Sequence, residues 1–247
     1  MGNAFQLIRS IFFIIQMYIV MALFGLFGIP LSVLNREYAF KTVMNYCKYV
    51  RWSAAWMVGL KSEIRGDVPD GDVIVASKHQ NFFDILMLVS VLPRPRFIYK
   101  KELDYVPIIG YFAKRLNCIA VDRGKKGQAI KKMVRDVNSG KVEPGQLIIF
   151  SQGTRVGAGE KKPYKVGTGV LYKETGQAVV PVATNVGVFW KRHGLMRYPG
   201  LGVLEFLPKI EQGYDVSQFM TELEAVVEAG SNDLMREAGF DVTHGTD

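Results

Sequence analysis

A histidine and an aspartate lie five positions apart in the segment SKHQNFFD, residues 77–84. His79 follows directly on an apolar run, and Asp84 falls in the first turn of the next apolar segment. A turn between the two lets the chain fold back, so that the carboxylate meets the imidazole. A carboxylate that fixes one ring nitrogen leaves the other nitrogen free as a general base. The alternative is a structural histidine, with Asp84 as an acidic residue at a helix start.

Two arginines also stand where apolar runs end. Arg123 closes the run CIAVDR, and Arg155 follows an apolar run and the turn Gly153-Thr154. An arginine fork binds a phosphate through two parallel hydrogen bonds, which lysine cannot match. Two such arginines at one end of a sheet, together with a histidine base, predict a site for a phosphate-bearing substrate. Taken alone, Arg123 is better explained as a surface residue paired to Asp122.

The chain around these residues alternates between strand-like and helix-like patterns. Short apolar runs bounded by turn residues predict strands, and longer amphipathic runs predict helices. The predicted strands are 72–77, 96–100, 118–123, 146–150, 178–184 and 201–210, and the predicted helices are 82–92, 108–117, 127–140, 167–176 and one that starts near Val216, with a break at Gly230. This alternation predicts an α/β fold with a largely parallel central sheet flanked by helices. Ligands of such sheets bind at the carboxyl ends of the strands, where the histidine and both arginines fall.

Residues 11–34 form an apolar run without a formal charge. About 20 apolar residues span a bilayer as a helix, so the run is long enough to cross a membrane. It is too long for the core of a cleaved signal peptide, and Pro30 is expected to end or bend the helix nearby. A single span, a hairpin dipped into one leaflet and a buried core helix all remain open. A shorter segment, 49–60, carries Trp52 and Trp56 and is typical of a membrane interface.

A length of 247 residues suits one domain of ordinary size with an attachment. We expect residues 1–64 to form N-terminal membrane-anchoring helices and residues 65–247 to form the α/β domain. The net charge of +8 is uneven, because residues 1–141 hold 21 Lys and Arg against 10 Asp and Glu. A basic, apolar N-terminal half indicates an anionic surface or anionic substrates. No recognition helix, zinc spacing or aromatic RNA-binding pattern supports nucleic acid as a partner.

Two cysteines and three histidines limit metal and redox chemistry. Cys47 and Cys118 have no metal-type neighbours and imply no disulfide framework. The histidines, His79, His193 and His244, are too few and too scattered to predict a multi-histidine metal site. We therefore expect neither a metal nor a bound cofactor.

Four segments of this chain resemble, in order and spacing, the four sequence blocks of the glycerolipid acyltransferase family, in particular the bacterial 1-acylglycerol-3-phosphate acyltransferases. KHQNFFD resembles the block of a histidine, four residues and an aspartate, and CIAVDRG resembles the second block with its arginine. FSQGTR resembles the third block, usually Phe-Pro-Glu-Gly-Thr-Arg, and VVPVATN resembles the fourth. The resemblance runs over residues 72–185. Pro181, which by itself predicts only a strand edge or a bulge, falls in the fourth block.

The resemblance implies transfer of a fatty acyl group to the free hydroxyl of lysophosphatidic acid, with acyl-coenzyme A or an acyl carrier protein as the donor. It implies that His79 takes the hydroxyl proton while Asp84 holds and polarises the imidazole. It also implies a phospholipid membrane as partner, with the enzyme at the inner (plasma) membrane and its catalytic domain on the cytoplasmic side. The residues assigned to substrate binding are Arg123, Gln152, Gly153, Thr154, Arg155 and Pro181.

Three residues depart from the family pattern. Lys78 stands where many members have asparagine before the histidine, and Ser151 and Gln152 stand where the family usually has proline and glutamate. Gln152 keeps the length of glutamate and its capacity to hydrogen-bond a hydroxyl, but it has lost the negative charge. A glutamate that only orients the acceptor or the loop can be replaced in this way. A glutamate whose charge is needed cannot, and activity would then be reduced.

Two other functions remain open at this level. The acceptor can be another lysolipid, such as a lyso-ornithine lipid, although that lipid lacks the phosphate that two arginines would bind. The chain can also be a catalytically weak lipid-binding homologue, with Gln152 as its mark; an intact His79 and Asp84 argue against this. A thioesterase is a more remote alternative, because it needs a water site in place of the acceptor arginines.

Overall fold

The computed structural model of this protein describes residues 2–122, 131, 134, 135, 137 and 144–242. Within these residues the strands are β1 (Leu60–Arg65), β2 (Val73–Ser77), β3 (Pro95–Lys100), β4 (Ile119–Val121), β5 (Gln146–Phe150), β6 (Val179–Thr184) and β7 (Gly200–Phe206). The helices are α1 (Asn3–Leu34), α2 (Glu37–Met57), α3 (Phe82–Val91), α4 (Pro107–Arg115), α5 (Gly167–Thr175), α6 (Val186–Phe189) and α7 (Val216–Glu237), and a 3-10 helix spans Lys101–Tyr105. Of the predicted helix at 127–140, the four described residues are all helical.

The seven strands form one sheet in the order β1-β7-β6-β2-β5-β3-β4. Neighbouring strands are parallel throughout, except that β6 and β7 are antiparallel, so β7 and β1 run against the other five. The predicted α/β fold with a largely parallel sheet is therefore confirmed. Because β2, β5 and β3 point the same way, the loops that follow them meet at one edge of the sheet.

Helices cover both faces of the sheet, and this explains why the central strands are apolar on both sides. In β2, Val75 packs with α1, α2 and α3, whereas Ile74 and Ala76 pack with α5 and α7. The residues that follow β2 continue this alternation, because successive side chains of a strand point to opposite faces. His79 accordingly continues the face of Val75, and Lys78 continues the face of Ala76.

The start of the sheet differs from the sequence prediction. Residues 49–57 belong to the long helix α2, on which Trp52 and Trp56 are exposed, and β1 follows almost at once and pairs with β7. No strand was predicted here, because β1, with the sequence LKSEIR, is a polar strand at the edge of the sheet. The predicted division of the chain between residues 64 and 65 falls inside β1.

The structure tests two residues that were expected to end, bend or break helices. α7 runs unbroken through Gly230, so the predicted break is wrong. A Cβ at this position would lie 3.1 Å from the Cβ of Ala183, so glycine lets α7 approach β6 closely. α1 contains Pro30 and ends four residues later, at Leu34. It is also the one helix in the described part of the chain that is long and apolar enough to cross a membrane.

Candidate active site

The loop between β2 and α3 brings His79 and Asp84 together. Nδ1 of His79 lies 3.0 Å from Oδ1 and 3.1 Å from Oδ2 of Asp84. The carboxylate is fully buried, and its Oδ2 also accepts hydrogen bonds from the backbone N–H groups of Gln80 (2.8 Å) and Asn81 (3.0 Å). Asp84 is thus held rigidly, and it fixes the orientation of the imidazole.

The N-terminus of α3 explains why the chain turns so tightly between these two residues. Asn81 is the N-cap: its side chain accepts a hydrogen bond from the N–H of Phe83 (2.7 Å) and donates one to the carbonyl of Trp190 (2.6 Å). Asp84 occupies the N3 position and completes a capping box. The two interpretations of Asp84, helix-start acid and partner of the histidine, are therefore both correct.

The imidazole of His79 is largely buried but remains partly accessible. Its ring stacks on Phe150 with 4.0 Å between the ring centroids, and its backbone carbonyl accepts a hydrogen bond from Val156 (2.8 Å). The side chain is 14% exposed, and its Nε2 makes no hydrogen bond to any residue that the structure describes. This nitrogen is therefore free to take a proton from a substrate.

The third block forms a tight turn after β5. Gly153 has a φ of +67°, a conformation that favours glycine, and its N–H donates to the carbonyl of Phe150 (2.8 Å). Ser151 anchors the turn to α5, because its hydroxyl accepts from Thr168 (3.1 Å). Thr154 is half-buried and Arg155 is exposed. The turn thus presents its arginine outward.

The side chain of Gln152 points into the protein. It is 2% exposed, and its Nε2 makes one long hydrogen bond, 3.5 Å, to the carbonyl of Lys162. Its Oε1 is buried and has no hydrogen-bond partner among the described residues. This position favours a role in the packing of the loop over direct contact with an acceptor.

Arg155 lies at a cavity of about 210 Å³. The other lining residues come from the middle of α1, from the first residue of α3 and from the segment after α6: Ile14, Met17, Tyr18, Phe82, Trp190, Lys191, Arg192, Gly194 and Arg197. Trp190 and Arg197 were not among the predicted site residues. The signal was the dense run of cations in KRHGLMR, residues 191–197. Arg123, the second predicted phosphate ligand, lies outside the described residues.

Pro181 lies in an internal strand, because β6 is flanked by β7 and β2. The alternative of a strand edge is therefore wrong. Backbone pairing joins Val182 to Phe206 and Val179 to Ile210, so two residues of β6 face three of the opposite segment between these pairs. Pro181 sits in this bulge, where its missing N–H leaves no gap in a regular ladder. It is buried and does not line the cavity at Arg155.

A buried ion pair involves Lys78, the residue that precedes His79. The side chain of Lys78 is 1% exposed, and its Nζ lies 2.7 Å from Oε2 of Glu228 on α7. The other carboxylate oxygen of Glu228 accepts a hydrogen bond from the hydroxyl of Tyr164 (3.1 Å). Burial, followed by the charge of Glu228, raises the pKa of Tyr164. These three residues connect the histidine loop, the segment after the third block and α7.

The arrangement is that of an enzyme that uses a histidine as a general base. A histidine that is fixed by a buried carboxylate, on a loop that leads into the cavity residue Phe82, is suited to remove a proton from the hydroxyl of an anionic substrate. Among the described residues no group of three or more His, Cys, Asp or Glu side chains is placed to hold a metal.

Comparison with known proteins agrees with this class. Residues 60–185, slightly more than half of the chain, match the acyltransferase family model, and the chain belongs to that family. It is 27% identical over 237 residues to a 1-acyl-sn-glycerol-3-phosphate acyltransferase of Pseudomonas aeruginosa, covering 94% of this chain and 92% of that one. It is 29% identical over 131 residues to the human 1-acyl-sn-glycerol-3-phosphate acyltransferase alpha, covering 51% of this chain and 46% of that one.

A solved structure shares the fold. The crystal structure of the 1-acyl-sn-glycerophosphate (LPA) acyltransferase PlsC from Thermotoga maritima superposes with a TM-score of 0.80 at 20% identity. The superposition covers 95% of this chain and 99% of that one. The similarity therefore includes the N-terminal helices as well as the sheet.

Proposed function

We propose that this protein transfers a fatty acyl group from a thioester donor to the free hydroxyl of lysophosphatidic acid and so forms phosphatidic acid. The observation that carries the proposal is the pair His79–Asp84, with Nδ1 and Oδ1 3.0 Å apart, on a loop that leads into Phe82, a lining residue of the cationic cavity. The names of the relatives support the same reaction. The donor is acyl-coenzyme A or an acyl carrier protein, and the enzyme needs no metal or other cofactor.

The reaction follows from the geometry of the histidine. Nε2 of His79 takes the proton of the acceptor hydroxyl, and Asp84 stabilises the imidazolium that forms. The acceptor oxygen attacks the carbonyl carbon of the thioester, and the bond between this carbon and sulfur then breaks. The leaving thiolate receives the proton from the imidazolium. A thiol has a pKa of about 8.5, so the thiolate leaves readily and no acyl-enzyme is needed.

The substrate phosphate is held by the loops at the same edge of the sheet. In our proposal Arg155 binds it directly, with Gly153 and Thr154 shaping the turn and Arg123 as a second guanidinium. Gln152, which is buried under this turn, keeps the loop in place, and the bulge at Pro181 supports the neighbouring strand end.

The membrane position follows from the way α1 is tied to the rest of the protein. Near its start, Gln6 donates a hydrogen bond to the carbonyl of Arg197, in the segment between α6 and β7 (2.6 Å). Near its end, the carbonyl of Ser32 accepts one from Arg115 of α4 (3.0 Å). A helix whose two ends lie on one domain cannot cross a bilayer away from that domain. We therefore propose that α1 lies in one leaflet of the inner membrane, with the catalytic domain on the cytoplasmic side.

The surface of α1 that faces away from the protein is suited to lipid. The exposed large apolar residues along it are Phe5, Leu7, Ile8, Ile11, Phe12, Ile15, Tyr18, Ile19, Leu23, Leu26, Phe27, Leu31, Val33 and Leu34. A soluble protein rarely exposes so large an apolar patch. In a leaflet it would place the site at the level of the lipid headgroups.

An acyl-transfer assay tests the reaction. Purified protein in detergent receives radiolabelled oleoyl-coenzyme A with either lysophosphatidic acid or lyso-ornithine lipid, and labelled products are separated. We expect labelled phosphatidic acid from the unaltered protein and none from His79→Ala, with both proteins equally folded. Transfer only to lyso-ornithine lipid would assign a different acceptor. Full activity of His79→Ala would overturn the histidine as base.

A further inference from the structure

Several cations line the cavity at Arg155, and the proposed reaction gives a role only to Arg155 itself. Besides Arg155, its lining contains Lys191, Arg192 and Arg197, and none of its described lining residues is acidic. The remaining lining is aromatic or apolar, apart from a glycine. Four cations around a cavity of about 210 Å³ repel one another, and an anion bound between them would offset this repulsion.

Arg197 is the buried floor of this cluster. It is 7% exposed and its guanidinium lies over the ring of Trp190, 4.0 Å from the ring centroid. Its Nη1 donates to the carbonyls of Gly194 (3.0 Å) and Met196 (3.1 Å), and its Nε has no hydrogen-bond partner in the described part of the chain. Burial lowers the pKa of Arg197 to about 10, so it remains charged at neutral pH without a carboxylate partner.

The backbone of Arg197 is held by α1. Its N–H donates to the hydroxyl of Ser10 (2.9 Å), and its carbonyl accepts from the side chain of Gln6 (2.6 Å). Both partners are buried polar residues near the start of a largely apolar helix. The end of the segment 190–197 is therefore fixed against α1, which holds Arg197 in place at the cavity.

Arg192 and Lys191 have few internal partners. Nε of Arg192 is buried and has no hydrogen-bond partner among the described residues. Lys191 lies over the ring of Tyr198, 5.7 Å from its centroid, and forms no ion pair with a described residue. Both side chains can therefore donate hydrogen bonds to an anion in the cavity.

We infer that Lys191, Arg192 and Arg197 complete, together with Arg155, the binding site for the phosphate of the lipid acceptor. The inference rests on the proposed function and assigns to it three residues outside the four sequence blocks. A cavity of about 210 Å³ has room for a phosphate on a glycerol backbone. The apolar wall from Ile14, Met17 and Tyr18 fits a headgroup whose acyl chain continues along α1.

Kinetics of Arg192→Gln test this assignment. We expect the KM for lysophosphatidic acid to rise on the order of 10- to 100-fold, since a hydrogen bond to a charged group is lost. The KM for the acyl donor and kcat should stay unchanged. With monoacylglycerol, which lacks the phosphate, any residual rate should be the same in both proteins. Arg236→Gln is the matched control, because Arg236 is exposed on α7, on the opposite face of the sheet.

The same kinetics can overturn the inference. A rise in the KM for the donor instead would assign the cations to the donor's phosphates. Unchanged kinetics in both Arg192→Gln and Lys191→Gln would overturn the inference, because neither residue would then bind the substrate phosphate.

A binding measurement separates the inference from the reaction. Trp190 is the third of three tryptophans, so a His79→Ala protein with Trp52→Phe and Trp56→Phe reports only on the cavity. We expect short-chain lysophosphatidic acid to change its fluorescence and the matching monoacylglycerol not to, with the difference lost in Arg192→Gln and kept in Arg236→Gln. Phosphate-dependent binding, combined with no transferase activity in the unaltered protein, would refute the proposed function and leave the site standing. Equal responses to the two lipids, or an equal response to inorganic phosphate, would refute the lipid phosphate site.

Discussion

At the scale of single residues, Gln152 is an uncharged side chain where the acyltransferase family usually has a glutamate, and its surroundings predict the effect of restoring that charge. Its amide is buried, its Oε1 has no partner in the described structure, and its Nε2 makes a single hydrogen bond of 3.5 Å. Gln152→Met should therefore change the free energy of unfolding by less than about 1 kcal/mol. Gln152→Glu should lower it by about 1–3 kcal/mol, because a carboxylate would face the carbonyl of Lys162 without a donor.

Thermal unfolding and acyl transfer, measured on both variants, check this prediction. We expect the transferase activity of Gln152→Glu to fall with its stability and not to rise above that of the unaltered protein. Higher activity in a stable Gln152→Glu protein would contradict a packing role and show that the charge is needed in catalysis.

Lys78 and Glu228 form a pair whose two members are buried to different degrees. The Lys78 side chain is 1% exposed and that of Glu228 is 18% exposed. Glu228→Gln leaves the ammonium buried without a counter-charge and should cost about 3–5 kcal/mol of the free energy of unfolding. Lys78→Met should cost less, because the remaining carboxylate reaches water and keeps its hydrogen bond from Tyr164.

Chemical denaturation of the two single variants and the double variant measures this asymmetry. The double variant should recover much of the loss of Glu228→Gln, which gives a coupling energy for the pair. Equal losses in both single variants would contradict the prediction. The partners are 150 positions apart, so the sequence showed Lys78 only as a departure from a family pattern and gave no sign of Glu228.

At the scale of elements, the sequence predicted what local pattern determines and missed what depends on packing. β5 is apolar on both faces, and its predicted limits, 146–150, agree with the structure. β1 is polar and lies at the edge, so only its pairing with β7 makes it a strand. The start of α3 was predictable because the histidine, cap and aspartate are close in sequence. The cavity was not, because α1 and the segment 190–197 meet only in the folded chain.

The contact between α1 and α2 depends on a small residue. A Cβ at Gly28 would overlap Cγ2 of Thr42 on α2 and lie 2.8 Å from its Oγ1. Gly28→Ala should therefore separate the two helices slightly and lower the free energy of unfolding by about 1–3 kcal/mol, as overpacking does. Thr42→Ala removes both of these atoms and should restore most of the loss in the double variant.

Unfolding temperatures of the unaltered protein, of Gly28→Ala and of the Gly28→Ala/Thr42→Ala double variant, measured in one detergent, check this contact. Gly2→Ala is the control, because a Cβ there meets nothing within 4 Å. A Gly28→Ala protein as stable as the unaltered one would mean that α1 and α2 are loosely packed. The cavity, which needs α1 in place, would then be less rigid than its hydrogen bonds to Arg197 indicate.

At the scale of the whole molecule, the position of α1 decides how the protein meets the membrane. At ~1.5 Å per residue, its 32 residues are about 48 Å long if straight, which exceeds the hydrocarbon core of a bilayer. The hydrogen bonds of Gln6 to Arg197 and of Arg115 to Ser32 nevertheless hold both ends on the α/β domain. The midpoint of the helix lines the cationic cavity, so a helix buried across the bilayer would carry four cations to its centre. Charges at that depth are costly, whereas at the headgroup level they meet lipid phosphate.

Cysteine labelling in vesicles decides between the leaflet position and a span. A cysteine at Gly2 and, in a separate protein, one at the exposed Lys173 of α5 are treated with a membrane-impermeant maleimide in sealed vesicles of known orientation. We expect both positions to react from the same side of the membrane, because the start of α1 rests on the domain that carries Lys173. Burial raises the pKa of the Cys118 thiol to about 11, and Cys47 is buried, so the unaltered protein should react slowly at pH 7 and gives the background. Labelling of position 2 only from the opposite side would show that α1 crosses the bilayer, and the contacts of Gln6 with Val58 and Arg197 could then not exist in the membrane.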